Sequence, residues 1–340
     1  MIDTNREVHL AARPAGLPKP TDFELVETPI PEPGDGELLV RNIYMSVDPY
    51  MRGRMRDAKS YVPPFQIGEV LSGGAVGQVV ESNHPGYETG DFVTGFEGWR
   101  QCYKTDGTGQ RKIDPEVAPL STFLGVLGMP GITAYVGLLD IGKPKVGETL
   151  LVSAAAGAVG SLVGQLGKIK GCRVVGSTGS PEKVELLTGE LGFDAAFNYK
   201  GADLRRELAE SCPDGIDVYF ENVGGPMLEA VLAHMNPFGR IPVCGMIAHY
   251  NDEEPTPGPT NLFSVISKRL LMQGFICTDR FDRLGDFTQD VGGWLREGRV
   301  KHRETIVEGI DHAADAFIGL LQGENTGKML VQVGDDPTRA

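Results

Sequence analysis

The chain has 340 residues, enough for about two domains with separate cores. Hydrophobic residues make up 41% and charged residues 23%, and the net charge of −14 argues against nucleic acid and anionic membrane surfaces, whose phosphates need clustered lysine and arginine. Cys102, Cys172, Cys212, Cys244 and Cys277 are widely spaced and odd in number, and no apolar signal-peptide core lies between Met1 and Gly16, so a reducing cytoplasm is the expected setting.

Residues 1 to about 125 are rich in glycine and proline. Short β-like runs at 37–43 and 75–80 are separated by turn signals such as Pro33-Gly-Asp-Gly36, which predicts a mostly β, barrel-like domain. From about 126 to 305 strand and helix signals alternate. Strands are expected at 148–153, 172–177, 195–199, 216–221, 238–243 and 270–277, with helices near 158–170, 181–191, 203–211 and 226–234. Six strands with crossovers predict an α/β domain with a doubly wound parallel sheet. The tail, 306–340, ends in the strand-like Lys328-Met-Leu-Val-Gln-Val333, expected to return to the first domain.

The densest signal is Thr149 to Gly167. Apolar residues Leu150 to Val152 lead into a small-residue turn, then a helix, then a second strand from Arg173. That order builds a site for a dinucleotide pyrophosphate, because small residues let backbone N–H groups approach the phosphates at a helix N-terminus. The fingerprint is degenerate, with Ala155 in the first glycine place before Gly157 and Gly160, and a glycine turn that only packs closely on a sheet has the same pattern. A membrane span is rejected, since the stretch holds four glycines, two serines and a glutamine.

The second strand ends Gly176-Ser-Thr-Gly-Ser180 without the acid that usually binds an NAD ribose. Ser180 reads as an N-cap with Pro181 at the first helical position, which puts Lys183 in the first turn. A lysine there suits the 2′-phosphate of NADPH, although surface lysines are commonly only solvated. None of the six histidines stands in a Gly-His-Glu motif; the corresponding run is Gly68-Glu-Val-Leu-Ser-Gly-Gly-Ala-Val-Gly77. With no closely spaced cysteines either, a zinc-free site is expected.

Five segments then carry a resemblance over essentially the whole chain: Met45-Ser-Val-Asp-Pro-Tyr-Met-Arg52, Gly128-Met-Pro-Gly-Ile-Thr-Ala-Tyr135, Ala154-Ala-Ala-Gly-Ala-Val-Gly-Ser161, Glu221-Asn-Val-Gly-Gly225 and Cys244-Gly-Met-Ile-Ala-His-Tyr-Asn251. Together they resemble the zinc-independent medium-chain dehydrogenase/reductases, in the branch of leukotriene 12-hydroxydehydrogenase, prostaglandin reductase, alkenal double-bond reductase and bacterial curcumin-reductase-like enzymes. The resemblance implies a GroES-like mostly-β domain over 1–125, joined by 306–340, and a Rossmann domain over 126–305. It implies NADPH-dependent reduction of the carbon–carbon double bond of α,β-unsaturated ketones or aldehydes by a homodimer.

It also carries over site residues. Gly157, Ala158, Val159 and Gly160, beside Ala156, would cradle the pyrophosphate. Thr178, Gly179, Lys183 and Tyr199 would hold the 2′-phosphate end, and Asn222 would lie near the cofactor ribose. Cys244, Gly245, Met246, Ile247 and Tyr250 would line the cofactor. Phe275, Ile276 and Cys277 would face the nicotinamide amide, and Asn325 would reach the phosphates. Thr133 would contact the amide or serve as a core threonine. Ala248 stands where the family usually has serine, and Cys277 where it has an aliphatic residue. Tyr250 is the expected donor to the enolate oxygen. Tyr50 is a second donor or a turn anchor in Asp48-Pro-Tyr50. Loops 54–66 and 250–262 would shape the pocket, the second as a lid or a plain surface connection. Two other readings stand beside this one: a quinone reductase of the neighbouring branch, and a non-enzymatic NADPH-binding protein on the same scaffold.

Overall fold

Thr149, Leu150, Leu151 and Val152 are all buried, as a strand covered on both faces must be. In the computed structural model, which describes residues 4–339, they form the third strand across a six-stranded parallel sheet. Its spatial order is Ala195–Asn198, Arg173–Thr178, Thr149–Val152, Ile216–Phe220, Met235–Val243 and Leu271–Gly274. The chain order reverses between Thr149–Val152 and Ile216–Phe220, so a crevice opens outside the carboxyl ends of these strands.

The unit that holds this sheet runs from Gly125 to Arg303 and takes in Thr326–Lys328. Helices Ala158–Ile169, Pro181–Gly189, Leu204–Ser211 and Gly225–His234 supply the first crossovers. Their starts follow local chemistry. Ser180 caps Pro181–Gly189 by accepting from the Lys183 N–H at 3.4 Å, and Asp203 caps Leu204–Ser211. Strand Met235–Val243 starts three residues before the predicted 238, directly after the preceding helix. The last strand is shorter than the expected 270–277, because Cys277 opens a 3₁₀ turn through Arg283.

The other unit takes the chain as far as Leu124, with Glu304–Asn325 and the residues from Met329 on. Its largest sheet has seven strands. Glu304–Glu308, Lys328–Gln332, Leu38–Ser46, Ala75–Ser82, Phe92–Gly95 and Arg111–Ile113 lie in that order, and Cys102–Thr105 pairs with Leu38–Ser46. Strand Leu38–Ser46 outruns the expected 37–43 because Tyr44 and Met45 are fully buried and pair with Gln332 and Val331. The core gathers Met45, Val47, Met51, Trp99, Phe317 and Val331. Phe23 stacks on Trp99 with centroids 6.1 Å apart.

Candidate active site

The turn after Thr149–Val152 is built on small residues for steric reasons. Ala154 adopts φ 49°, a left-handed conformation that costs a non-glycine residue energy. A Cβ at Gly160 would stand 2.5 Å from the Ala154 carbonyl oxygen and 2.8 Å from Ala155 Cα. Only glycine therefore lets the helix start press against the turn. Gly164 and Gly167 continue the close face: added Cβ atoms would meet the Phe193 ring at 1.9 Å and Leu150 at 2.4 Å. The N–H groups of Ala158, Val159 and Gly160 begin helix Ala158–Ile169 and have no carbonyl one turn back within it. They supply the dipole and donors that a pyrophosphate requires. Across the turn the Gly327 N–H donates to the Ala156 carbonyl at 2.8 Å, and Gly157 bridges to Gly327. Asn325, two residues earlier, is buried in the other unit.

At the end of the second strand the polar groups suit an anion. Thr178 is buried and its carbonyl accepts from the Tyr199 N–H at 3.0 Å. A Cβ at Gly179 would stand 3.2 Å from Lys200 Cε and 3.5 Å from the Tyr199 hydroxyl, so glycine admits both side chains. Lys183 sits in the first turn of its helix, where burial and then Lys200 hold its ammonium below the usual lysine value. The buried Ser177 Oγ has no hydrogen-bond partner. Two ammonium groups and a phenol form a site that fits a phosphorylated ribose. Lys200 is a residue of this site that the sequence motifs do not single out. The signal for Lys200 was its position directly after Tyr199 at the end of Ala195–Asn198.

The central carboxyl ends are tied together by Glu221. Its Oε1 accepts from the Val223 and Gly224 N–H groups at 2.6 and 2.9 Å, from the Tyr219 hydroxyl at 2.8 Å and from Ser153 Oγ at 3.2 Å. Its Oε2 is buried without a partner. Burial raises this carboxyl above the usual glutamate value despite the four donors. Asn222 is fixed beside it, donating from Nδ2 to the Ser153 carbonyl at 2.7 Å and from its N–H to Ser153 Oγ at 2.9 Å. The Cys244 and Gly245 N–H groups donate to the Glu221 carbonyl, and the Ile247 N–H donates to that of Asn222. Residues 153, 221–224 and 244–248 thus form one hydrogen-bonded floor.

Over this floor Tyr250 folds back. Its phenol oxygen accepts from the Met246 N–H at 3.4 Å, and a Cβ at Gly245 would stand 2.9 Å from that oxygen. Burial raises its pKa above the ordinary 10, so the phenol keeps its proton at neutral pH. Thr133 Oγ1 donates to the Met129 carbonyl at 2.7 Å and also hydrogen-bonds Cys277, whose thiol in turn lies within electrostatic reach of Cys244. Phe275, ahead of Ile276 and Cys277, packs edge-on against Phe220 with centroids 6.3 Å apart. The unit thereby assembles residues 133, 244–250 and 275–277 at one end of its sheet. Tyr50 belongs to the other unit, where it begins the short helix Tyr50–Arg54 and is held protonated by burial and by Asp48. Among the described residues, no group of three or more His, Cys, Asp and Glu is placed to hold a metal ion.

A glycine turn, a cationic pocket and a protonated tyrosine at the carboxyl ends of a doubly wound sheet define a nucleotide-dependent oxidoreductase fold. Family models described as the N-terminal domain of oxidoreductase and as zinc-binding dehydrogenase match residues 6–113 and 158–291. The chain is 49% identical over 338 residues to the NADPH-dependent curcumin reductase of Escherichia coli, covering 98% of each chain. It is 46% identical to the NADP(+)-dependent 2-alkenal reductase of Nicotiana tabacum, covering 97% of this chain and 98% of the other. The crystal structure of CurA from Vibrio vulnificus in complex with NADPH is similar at 48% identity and a TM-score of 0.93, over 97% of this chain and 100% of that one. The chain belongs to the medium-chain dehydrogenase/reductase family, in the branch of the curcumin, alkenal and prostaglandin reductases.

Proposed function

We propose that this chain is an NADPH-dependent reductase of the carbon–carbon double bond of enones and 2-alkenals. The observation that carries the reading is the Tyr250 phenol, held protonated over the floor that Glu221, Asn222 and Cys244 form. NADPH, when bound, supplies the hydride. The N–H groups of residues 158–160 bind the pyrophosphate, and Lys183, Lys200 and Tyr199 bind the 2′-phosphate. The Tyr250 O–H donates to the substrate carbonyl oxygen and stabilises the enolate that forms as the β-carbon gains hydride. Tyr50 is the second donor proposed to orient substrate.

A donor aimed at a developing oxyanion is typically worth about 3–4 kcal/mol. Tyr250→Phe should therefore slow single-turnover reduction of 3-nonen-2-one roughly 100- to 1000-fold and leave NADPH affinity nearly unchanged. An unchanged hydride-transfer rate would remove Tyr250 from the chemistry. If a quinone were reduced and neither the enone nor trans-2-hexenal were, the substrate class would be wrong.

The same reading makes the enzyme zinc-independent, cytoplasmic and homodimeric. Its support is the carbonyl-polarising phenol, the five unpaired thiols and the apolar outer strand Leu271–Gly274, where Leu271 is exposed. No helix among the described residues is long and apolar enough to cross a membrane.

A further inference from the structure

Arg54 has no part in the roles assigned so far, yet its side chain is engaged on every side. Tyr50 and Arg54 open and close the one-turn helix Tyr50–Arg54, and a spacing of four puts both side chains on one face. The guanidinium donates from Nε to the Pro63 carbonyl at 3.0 Å and from Nη1 to Ser72 Oγ at 3.0 Å. Its flat face lies over the Phe65 ring, 3.8 Å from the centroid. It also hydrogen-bonds the Tyr50 hydroxyl, and Tyr61 lies within electrostatic reach of both residues. The backbone repeats the tie, since the Phe65 N–H donates to the Arg54 carbonyl at 2.7 Å.

We propose that Arg54 is a positioning residue: it orients the Tyr50 phenol toward substrate and pins the return of the 55–64 loop against the helix that carries Tyr50. The proposal rests on the substrate-orienting role given to Tyr50 above. The chemistry favours arginine over lysine. Only a planar fork presents in-plane donors to three oxygens while its face stacks on a ring. Because the guanidinium has no acceptor, Tyr50 receives the hydrogen bond through its oxygen. The phenol proton then points away from Arg54, and a donor behind an oxygen polarises the O–H in front of it. Burial and the nearby Asp48 work against ionisation, so Tyr50 remains a donor. Phe65 is buried while Tyr61 is 62% exposed, so the clamp holds the base of the loop and leaves its tip accessible.

The test is a double-mutant cycle in the whole enzyme with NADPH and 3-nonen-2-one. Tyr50→Phe and Arg54→Gln should each lower kcat/KM about tenfold or more, mostly through KM, with NADPH affinity unchanged. In the Tyr50→Phe background, Arg54→Gln should cost no more than about twofold further, because a residue acting through Tyr50 has nothing left to position. Arg54→Lys keeps the charge and loses the fork, and should recover only part of the loss. That variant, with Phe65→Leu to remove the stacked face alone, carries the cycle if Arg54→Gln does not fold. Full additivity of the two substitutions, or wild-type kinetics for Arg54→Gln, would overturn the proposal. A silent Tyr50→Phe would instead refute the role of Tyr50, and that outcome is visible in the single variant.

Discussion

Lys183 shows how much one side chain decides at the cofactor end. Its ammonium is partly desolvated and lies near a second cation, Lys200, and both hold its pKa below the usual lysine value. A 2′-phosphate would counter the charge of both lysines, whereas a bare ribose hydroxyl would not. A charge-assisted hydrogen bond contributes about 1.5–3 kcal/mol. Lys183→Ala should therefore weaken NADPH binding roughly 10- to 100-fold and leave NADH binding nearly unchanged, as titration of the bound nicotinamide fluorescence would report. Equal losses for both cofactors would place Lys183 elsewhere. The position of this residue was legible in the sequence because capping is local: Ser180 and Pro181 fix a helix start, and Lys183 follows three residues later. Lys200 was not legible, since it joins the site only when Ala195–Asn198 pairs with Arg173–Thr178. The clamp of Arg54 was hidden for a similar reason, because its partners at Pro63 and Ser72 are 9 and 18 residues away and no periodic pattern links them.

Among the elements, the outer strand Leu271–Gly274 has the most exposed consequence. Among the described residues it pairs on one side only, with Met235–Val243, and leaves an open row of backbone donors and acceptors. Nearby in sequence Leu262, Phe263 and Ile266 are 52%, 71% and 70% exposed, more apolar surface than an isolated edge usually shows. Two-fold pairing of this strand with its copy would cover it. Leu271→Lys should shift the proposed homodimer toward monomer at micromolar concentration in light scattering; a wild-type protein that is already monomeric would rule the edge out as an interface. The strand itself was foreseeable from its run of apolar residues, but its early stop was not. Periodicity runs on to Cys277, and the 3₁₀ turn that ends the strand is set by how residues 277–283 pack, with Asp140 gripping Arg280 and Arg283 from another part of the unit.

At the scale of the whole molecule, buried charge sets how stability responds to pH. Glu221 is fully buried, and its folded pKa is raised above the ordinary 4.5. Between the unfolded and folded values the native state binds more protons than the unfolded state, so stability falls as pH rises through that window. The contribution is fully present below the unfolded value and lost above the folded one. Glu221→Gln removes the titration. In urea unfolding from pH 4 to pH 8, the variant should gain on the wild type as pH rises above about 4.5. A constant difference across that range would mean that Glu221 titrates normally.

The burial of the cysteines bears on how long such an enzyme lasts at work. Enones and alkenals are electrophiles that alkylate thiolates, so a reductase of these compounds is exposed to inactivation by its own substrate. Desolvation raises all five thiols: Cys172 to about 11, Cys212 and Cys244 to about 12, with Cys102 and Cys277 also raised. A thiol with a pKa near 12 is ionised in only about one molecule in a hundred thousand at neutral pH, against a few per cent for an ordinary cysteine. Cys244, at about 12, and Cys277, also raised, stand at the strand ends where substrate is expected and are thereby held as thiols. Incubation with acrolein should leave the native chain unmodified by mass spectrometry over hours, and the same treatment in urea should add up to five adducts. Rapid modification of even one native cysteine would show that the fold does not confer this tolerance.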